Sequence, residues 1–293
     1  MAFWQITVPT SPETSEGLTN FLWEQGALGV VEEESLLVAA RLRAFFSDSA
    51  SSTALVTSVR EYATSLSTLG FLTAPGDVEI APLLEEAWAS AWQQSFPPRA
   101  VGRRLWVRPP WEAAEATDRI AVVIEPGRAF GTGHHGSTEG CLTLLDEAIA
   151  DTRPERVLDI GTGTGILAVA AVKLGAGLVV ALDVDPDAIA AARVNAARNG
   201  CAERIELLMA GPESLRDVPP FPLVLANLLA HTHLALAPHY RRLAAPGGAL
   251  ILGGILEHED KDVIAALERA GLAFRGRLVI EGWSSLRLEA SAA

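Results

Sequence analysis

The segment Val157-Leu158-Asp159-Ile160-Gly161-Thr162-Gly163-Thr164-Gly165-Ile166-Leu167 limits the fold of this chain more than any other. An apolar run ends in an acid, three glycines follow at alternate positions, and a second apolar run begins at once. A strand that turns tightly into a helix satisfies this pattern. Glycines leave room for a ligand to approach the backbone, because no Cβ stands in the way. The helix start then offers unpaired amide donors. Asp183 lies 18 residues beyond Gly165, at the end of the next apolar run. An acid at that strand end can accept hydrogen bonds from ribose hydroxyls.

The sequence on either side alternates in the same way. Strands are predicted at Arg156–Ile160, Leu178–Asp183, Ile205–Met209, Leu223–Asn227 and Ala249–Gly253. Helices are predicted at Ile166–Leu174, Pro186–Asn199, Thr232–Ala244 and Glu259–Ala270. Repeated βα units argue for an α/β, Rossmann-like, doubly wound sheet of seven strands. Two closing strands, Phe274–Ile280 and Ser284–Glu289, have no helix between them and read as an antiparallel edge hairpin. The apolar stretch Gly163 to Leu182 resembles a membrane span in hydropathy. Lys173 and the Gly175-Ala176-Gly177 break make it a buried helix followed by a buried strand.

The first 80 residues have a different rhythm. Phe3–Val8 alternates as a strand, and Ser11-Pro12-Glu13 opens a helix with Leu18, Phe21, Leu22 and Gln25 at helical spacing. Leu28–Glu33 and Leu36–Phe46 read as strands, Thr53–Leu69 as a helix and Asp77–Ile80 as a last strand. This is the βαββαβ order of a small α+β ferredoxin-like domain. Leu83–Ser95 reads as a helix with Trp88 and Trp92 on one face, ended by Phe96-Pro97-Pro98. The expected organisation is a recognition domain at 1–82, a helical linker at 83–100 and a catalytic domain at 101–293. Leu105–Arg108 and Ile120–Ile124 read as a strand pair within the last of these.

The chain has 293 residues, 49% of them hydrophobic and 20% charged, so it can bury two cores. Cys141 and Cys201 stand alone, which excludes a disulfide scaffold and fits a reducing compartment. With no basic or apolar leader at the start, a cytoplasmic location is expected. The net charge of −13 argues against binding to a nucleic-acid backbone. Residues 1–98 carry 12 acids and three bases (Arg41, Arg43, Arg60), a net −9. That surface suits either solubility or a basic partner. No membrane association is expected, and a monomer is the expected state.

Glycine spacing separates two kinds of nucleotide ligand. A dinucleotide turn wants G-x-G-x-x-G, whereas this chain has G-x-G-x-G. Asp159 would repel a pyrophosphate and suit a ligand carrying an ammonium or sulfonium charge. A second glycine-rich loop runs upstream, Glu125-Pro126-Gly127-Arg128-Ala129-Phe130-Gly131-Thr132-Gly133-His134-His135-Gly136-Ser137-Thr138. It can fold over a ligand, with a helix starting near Ser137. His134-His135 and the later His231 and His233 fit no zinc spacing, so no metal is expected.

The acid and three glycines resemble the first motif of Rossmann-like S-adenosylmethionine-dependent methyltransferases. Taken with Trp88–Trp111, Phe130–Thr138 and Ala226-Asn227-Leu228-Leu229, they make nearly the whole chain similar to the bacterial ribosomal protein L11 methyltransferases. Where that family's loop continues Pro-Thr-Thr, this chain has Gly136-Ser137-Thr138. The resemblance implies that Thr138, Gly161, Asp183 and Asn227 contact S-adenosylmethionine, with Phe130, Gly131 and Gly163 lining the same site. It also implies a basic ribosomal protein substrate recognised by the first domain and methylated on lysine side chains and the amino-terminal amine. Asn227 would orient the attacking amine. The prolines and aromatic that follow this Asn in enzymes acting on planar amides are absent, which favours a flexible alkylamine. No general base and no adenine partner stand out. Two other readings remain: a methyltransferase of RNA or a small molecule, and an NAD-dependent oxidoreductase. The acidic first domain weighs against the former, and Asp159 with the glycine spacing against the latter.

Overall fold

In the computed structural model the chain divides into two units, Met1–Ser95 and Phe96–Ala293. The structure describes residues 2–11, 13–27, 29–33, 40–47, 52–71, 76–84, 96–113, 118–127, 129–216 and 218–291.

In the first unit, Ile6 and Val8 are buried while Gln5 and Thr7 are half-buried, the two-residue period of a strand with one face on a core. The elements are β1 (Ala2–Pro9), α1 (Ser15–Glu24), β2 (Gly29–Glu33), β3 (Arg41–Ser47), α2 (Ser52–Thr68) and β4 (Glu79–Leu84). The sheet order is β2-β3-β1-β4, antiparallel throughout. Leu18, Leu22, Val56 and Val59 from the helices pack against Ile6, Val8, Leu42 and Ala44. This is the expected ferredoxin-like arrangement. Regular helix begins only at Ser15, because Glu13 and Thr14 lie in a turn and the Thr14 and Ser15 amides both donate to the Ser11 carbonyl. Leu83 and Leu84, expected to start a helix, instead extend β4 by pairing with Phe3 and Ala2. Their cross-strand partners override the helix propensity of leucine. The remainder of that expected helix, with Trp88 and Trp92, lies outside the described residues, as do residues 36–39 of the strand expected at Leu36–Phe46.

The second unit opens with a three-stranded sheet, β5 (Arg99–Val101), β6 (Leu105–Arg108) and β7 (Ile120–Val123). β5 was not expected, since Arg99 and Ala100 read as linker; they pair with Val107 and Trp106. The main body follows as α3 (Gly136–Thr152), β8 (Arg156–Ile160), α4 (Ile166–Leu174), β9 (Leu178–Asp183), α5 (Pro186–Arg198), β10 (Ile205–Met209), β11 (Phe221–Asn227), α6 (Ala230–Leu243), β12 (Ala244–Leu256), α7 (Asp260–Arg269), β13 (Leu272–Ile280) and β14 (Trp283–Ala290).

Seven of these strands form one sheet in the order β10-β9-β8-β11-β12-β14-β13. The first five are parallel, and β14 inserts antiparallel between β12 and β13. Alternate residues feed two cores. Val157, Val179, Ala181 and Leu225 face one core with α3 and α4, while Leu158, Val180, Leu182 and Val224 face the other with α6 and α7. Sheets covered on both faces need apolar residues at consecutive positions, which explains the unbroken runs in the sequence. Eight of the nine residues of α4 are buried, Lys173 being the exception. The stretch that resembled a membrane span is therefore core. Among the described residues, no helix is long and apolar enough to cross a membrane.

The small sheet is fastened to α3 through Asp146, 2% exposed. Its carboxylate accepts the Arg103 amide at 2.6 Å, the Arg104 amide at 3.1 Å and Arg104 Nε at 2.5 Å. Asp146→Ala would strand two amides and leave the Arg104 guanidinium only its bond to the residue 146 carbonyl, a cost of about 1–3 kcal/mol. Urea denaturation should show a lower midpoint with an unchanged slope. An unaltered midpoint would mean that the small sheet is held by other contacts.

Candidate active site

From β8 the chain steps outward through β9 to β10, then crosses back to β11 on the other side. This reversal opens a crevice at the carboxyl ends of β8, β9 and β11, the place where α/β sheets of this kind bind ligands. Asp159, Asp183 and Asn227 stand at or next to those three strand ends.

The turn after β8 is built almost entirely from backbone contacts. The Gly161 and Thr162 amides both donate to the Leu182 carbonyl at 2.9 Å. Asp183 holds the next step: its Oδ2 accepts the Gly163 amide at 2.9 Å and its Oδ1 the Asp185 amide at 3.0 Å. Gly163 has φ +55°, and a Cβ there would strike the Phe130 carbonyl oxygen. The upstream loop is thus laid directly on the glycine turn. Thr164 secures it twice, its amide donating to the Phe130 carbonyl at 2.9 Å and its Oγ1 to the Gly131 carbonyl at 2.5 Å. Asn195, buried on α5, ties the assembly back: its Nδ2 donates to the Thr164 carbonyl at 2.9 Å and its Oδ1 accepts the Glu125 amide at 3.0 Å.

Beyond that contact the loop runs into α3. His135 caps the helix, its Nδ1 accepting the Ser137 amide at 3.3 Å. Its ring lies between Phe130 and Trp283, at centroid distances of 5.3 and 4.5 Å. Burial pushes this imidazole down to about 4, with Glu281 pulling the other way, so it is neutral and can accept. His134 turns elsewhere, its Nε2 bonding the Pro97 carbonyl at 2.8 Å. The two histidines that looked like a pair in sequence therefore serve different contacts.

Across the crevice Asn227 Nδ2 donates to Thr138 Oγ1 at 3.3 Å. Leu228 lies over Gly161, where its side chain fills the space a Cβ would take. All seven residues singled out in the sequence, Phe130, Gly131, Thr138, Gly161, Gly163, Asp183 and Asn227, thus belong to one contiguous set. Thr164, Asn195 and Leu228 hold that set together and were not singled out. The alternating threonines of Gly-Thr-Gly-Thr-Gly hint at the first, but nothing in the spacing marks the other two.

Among the buried polar atoms of the described residues that lack a hydrogen-bond partner, two stand at this crevice, Asp159 Oδ1 and Asn227 Oδ1. Asp159 is 1% exposed. Its Oδ2 accepts Thr162 Oγ1 at 2.7 Å. Burial pushes its carboxyl up to about 7, and the negative charge of Asp183 adds to the rise against the Thr162 bond. A buried acceptor without a donor is costly and points to a group supplied from outside. Two neighbouring acids further favour a cationic one.

The family described as "Ribosomal protein L11 methyltransferase (PrmA)" matches residues 2–291. The chain belongs to this family. The ribosomal protein L11 methyltransferase of Trichlorobacter lovleyi is 41% identical over 229 residues, covering 74% of this chain and 74% of that protein. The Sorangium cellulosum protein of the same name is 39% identical over 270 residues, covering 90% and 81%. A crystal structure of a ribosomal protein L11 methylase from Lactobacillus delbrueckii subsp. bulgaricus superposes with a TM-score of 0.60 at 31% identity. It covers 66% of this chain and 98% of that one.

The loop-on-turn contact rests on the buried Thr164 hydroxyl, and Thr164→Val removes it at nearly constant shape. The Gly131 carbonyl then loses a donor in a buried place, a loss of about 1–3 kcal/mol in local stability. Hydrogen exchange at the Gly131, Thr132 and Gly133 amides should accelerate at least several-fold while the sheet amides stay protected. Unchanged exchange in the loop would show that the hydroxyl does not fasten it.

Proposed function

We propose that this chain transfers the methyl group of S-adenosylmethionine to lysine side-chain and amino-terminal amines of ribosomal protein L11. Its family makes it an S-adenosylmethionine-dependent protein methyltransferase. That membership leaves no support for the oxidoreductase reading or for an RNA or small-molecule substrate. The observation that carries the site assignment is the pair of unpartnered buried oxygens, Asp159 Oδ1 and Asn227 Oδ1, beside a glycine turn with no room for side chains. A cationic nucleoside with a methionyl ammonium group fits these acceptors.

In this reading Asp183 accepts from the ribose hydroxyls while its other contacts brace the Gly163 and Asp185 amides. Gly161 and Gly163 admit the cofactor to the backbone, and Phe130 with Gly131 forms its cover. Thr138 and Asn227 bound the side from which the amine enters, and Asn227 Oδ1 orients that amine. When bound, S-adenosylmethionine supplies an activated methyl for in-line displacement at carbon. The protein's task is then alignment and exclusion of water, effects that can reach ~7–11 kcal/mol. The nucleophile must be neutral. For a lysine of pKa ~10.4 at pH 7 this costs about 4–5 kcal/mol, and for an α-amino group only about 1. A dry pocket lowers the lysine value, and the proton leaves through water rather than through a dedicated base. The acidic residues 1–98 draw in the basic substrate, and the enzyme acts as a monomer in the cytoplasm.

Asp159 gives this reading a thermodynamic signature. In the free protein its carboxyl titrates near 7, above its ordinary value of 3.8, so the buried site favours the protonated form. Stability tied to this group is therefore greatest in acid and falls as pH rises through about 7. A bound cation reverses the preference. Binding near pH 6 should release close to one proton, and the release should fade well above pH 7. Calorimetry in two buffers of different ionisation enthalpy measures it. Asp159→Asn should abolish the release, and a wild-type protein that releases none would contradict a cationic ligand there.

The direct assay is labelled S-adenosylmethionine with purified L11, followed by mass spectrometry of the modified amines. Asp183→Ala should keep the fold, reduce cofactor affinity about 10–100-fold, and slow labelling at limiting cofactor. Label confined to side chains other than amines, or an affinity untouched by the substitution, would overturn the respective assignment.

A further inference from the structure

His233 and Tyr240 take no part in the site described above, yet both are completely buried on α6. They sit seven residues apart on one helix face, and the Tyr240 hydroxyl meets His233 Nδ1 at 2.8 Å. The other ring nitrogen, Nε2, lies 2.8 Å from the Gly253 carbonyl oxygen on β12. A carbonyl can only accept, so Nε2 carries the proton and Nδ1 accepts from the tyrosine. One tautomer is fixed by two opposed partners. Burial pushes the imidazole down to about 4, so the ring stays neutral at any physiological pH.

The Gly253 carbonyl also accepts the Leu228 amide at 3.0 Å. That amide belongs to the turn that leaves β11 immediately after Asn227. Gly253 is, in register, the neighbour of Asn227 across the β11–β12 pair. A Cβ on Gly253 would meet Cys141 Sγ and come within 3.0 Å of Asn227 Oδ1. The Gly253 peptide is therefore the floor on which the Asn227 side chain and the Leu228 backbone both rest. His233 holds the far side of that floor.

We infer that His233, oriented by Tyr240, is a positioning residue for methyl transfer: it fixes the Gly253 peptide and thereby the placement of Asn227 Oδ1 and of Leu228 over Gly161. The inference rests on the proposed role of Asn227 and extends it one layer outward. A helix–strand packing site needs no polar groups there, and two buried polar side chains are costly unless their bonds do something an apolar pair cannot. Second-layer groups that orient functional side chains act in this way at other kinds of site. A displacement of Asn227 by a fraction of an ångström would be felt in the alignment step, whereas Asp183 and the glycine turn would go on holding cofactor.

The test uses the full-length enzyme with S-adenosylmethionine and L11, comparing His233→Leu, His233→Gln, Tyr240→Phe and Asn227→Ala. His233→Leu keeps the volume and removes the donor; kcat should fall about tenfold with cofactor affinity, by calorimetry, within threefold of wild type. His233→Gln restores a donor toward Gly253 and should recover most of that loss. Tyr240→Phe releases the ring without emptying the core, and should lower kcat about threefold even if the leucine variant folds poorly. Combining His233→Leu with Asn227→Ala should lower kcat no further than Asn227→Ala alone. The inference is overturned if Tyr240→Phe and a folded His233→Leu both keep wild-type kcat. It is equally overturned if the glutamine variant is as slow as the leucine variant, or if the losses multiply in the double variant. If Asn227→Ala itself leaves kcat and affinity unchanged, the assignment of Asn227 fails first, and the inference falls with it.

Discussion

Everything at this site depends on one close approach, in which the Phe130 carbonyl rests on Gly163 with no side chain between them and Thr164 bonds the loop through its amide and its hydroxyl. Two irregular segments some thirty residues apart become one surface because Gly163 has no Cβ and Thr164 offers two donors. Asn195 then binds that surface to α5 and to the segment before the loop. Loops generally carry function while a scaffold carries rigidity. Here the loop borrows rigidity from the sheet through Thr164, and the crevice keeps its shape without depending on the mobility usual for glycine-rich chain.

The approach also sets the electrostatics. By closing over the end of β8, the turn buries Asp159 and leaves one of its oxygens without a donor, while Asp183 stays close enough to raise its carboxyl further. Such a pair disfavours anions and is relieved by a cation. The three glycines, already spaced unlike a dinucleotide turn, here also border two acids. Asp159 together with the glycine spacing separates a sulfonium nucleoside from a dinucleotide, since an acid at the Asp183 position serves the ribose of either.

Much of the fold was legible because of how parallel strands are buried. The bounds of β6, β8, α4, β9 and β10 coincide with largely apolar runs bordered by glycines, turn residues or charges. Legibility ends where pairing decides. Ala244–Leu256 is one long strand although a helix to Ala244 and a strand only at Ala249–Gly253 are expected, since Ala244 finds Phe221 beyond a register shift. Leu83 and Leu84 join β4 because β1 offers them partners. At the site, the residues with a chemical signature were visible: acids at strand ends, glycines in turns, an asparagine after a buried strand. Thr164, Asn195 and His233 were not, because their roles consist of reaching carbonyls 20 to 33 positions away in sequence. Such distances are products of topology and leave no local pattern.

The division between visible and invisible residues follows the chemistry. Where a cofactor arrives already activated, little is asked of proton-transferring side chains, and the rate depends on how accurately two groups are aligned. Accuracy comes from atoms that cannot move, and these are found one layer behind the contact surface. The Gly253 carbonyl, with a donor on each side from Leu228 and His233, is such an atom. Replacing His233 by an apolar residue of equal size would keep α6 packed on β12 but leave that carbonyl with one donor and freedom to tilt. The Tyr240 hydroxyl would also lose its partner, a cost to folding of about 1–3 kcal/mol, and Asn227 would lose the floor that defines its position.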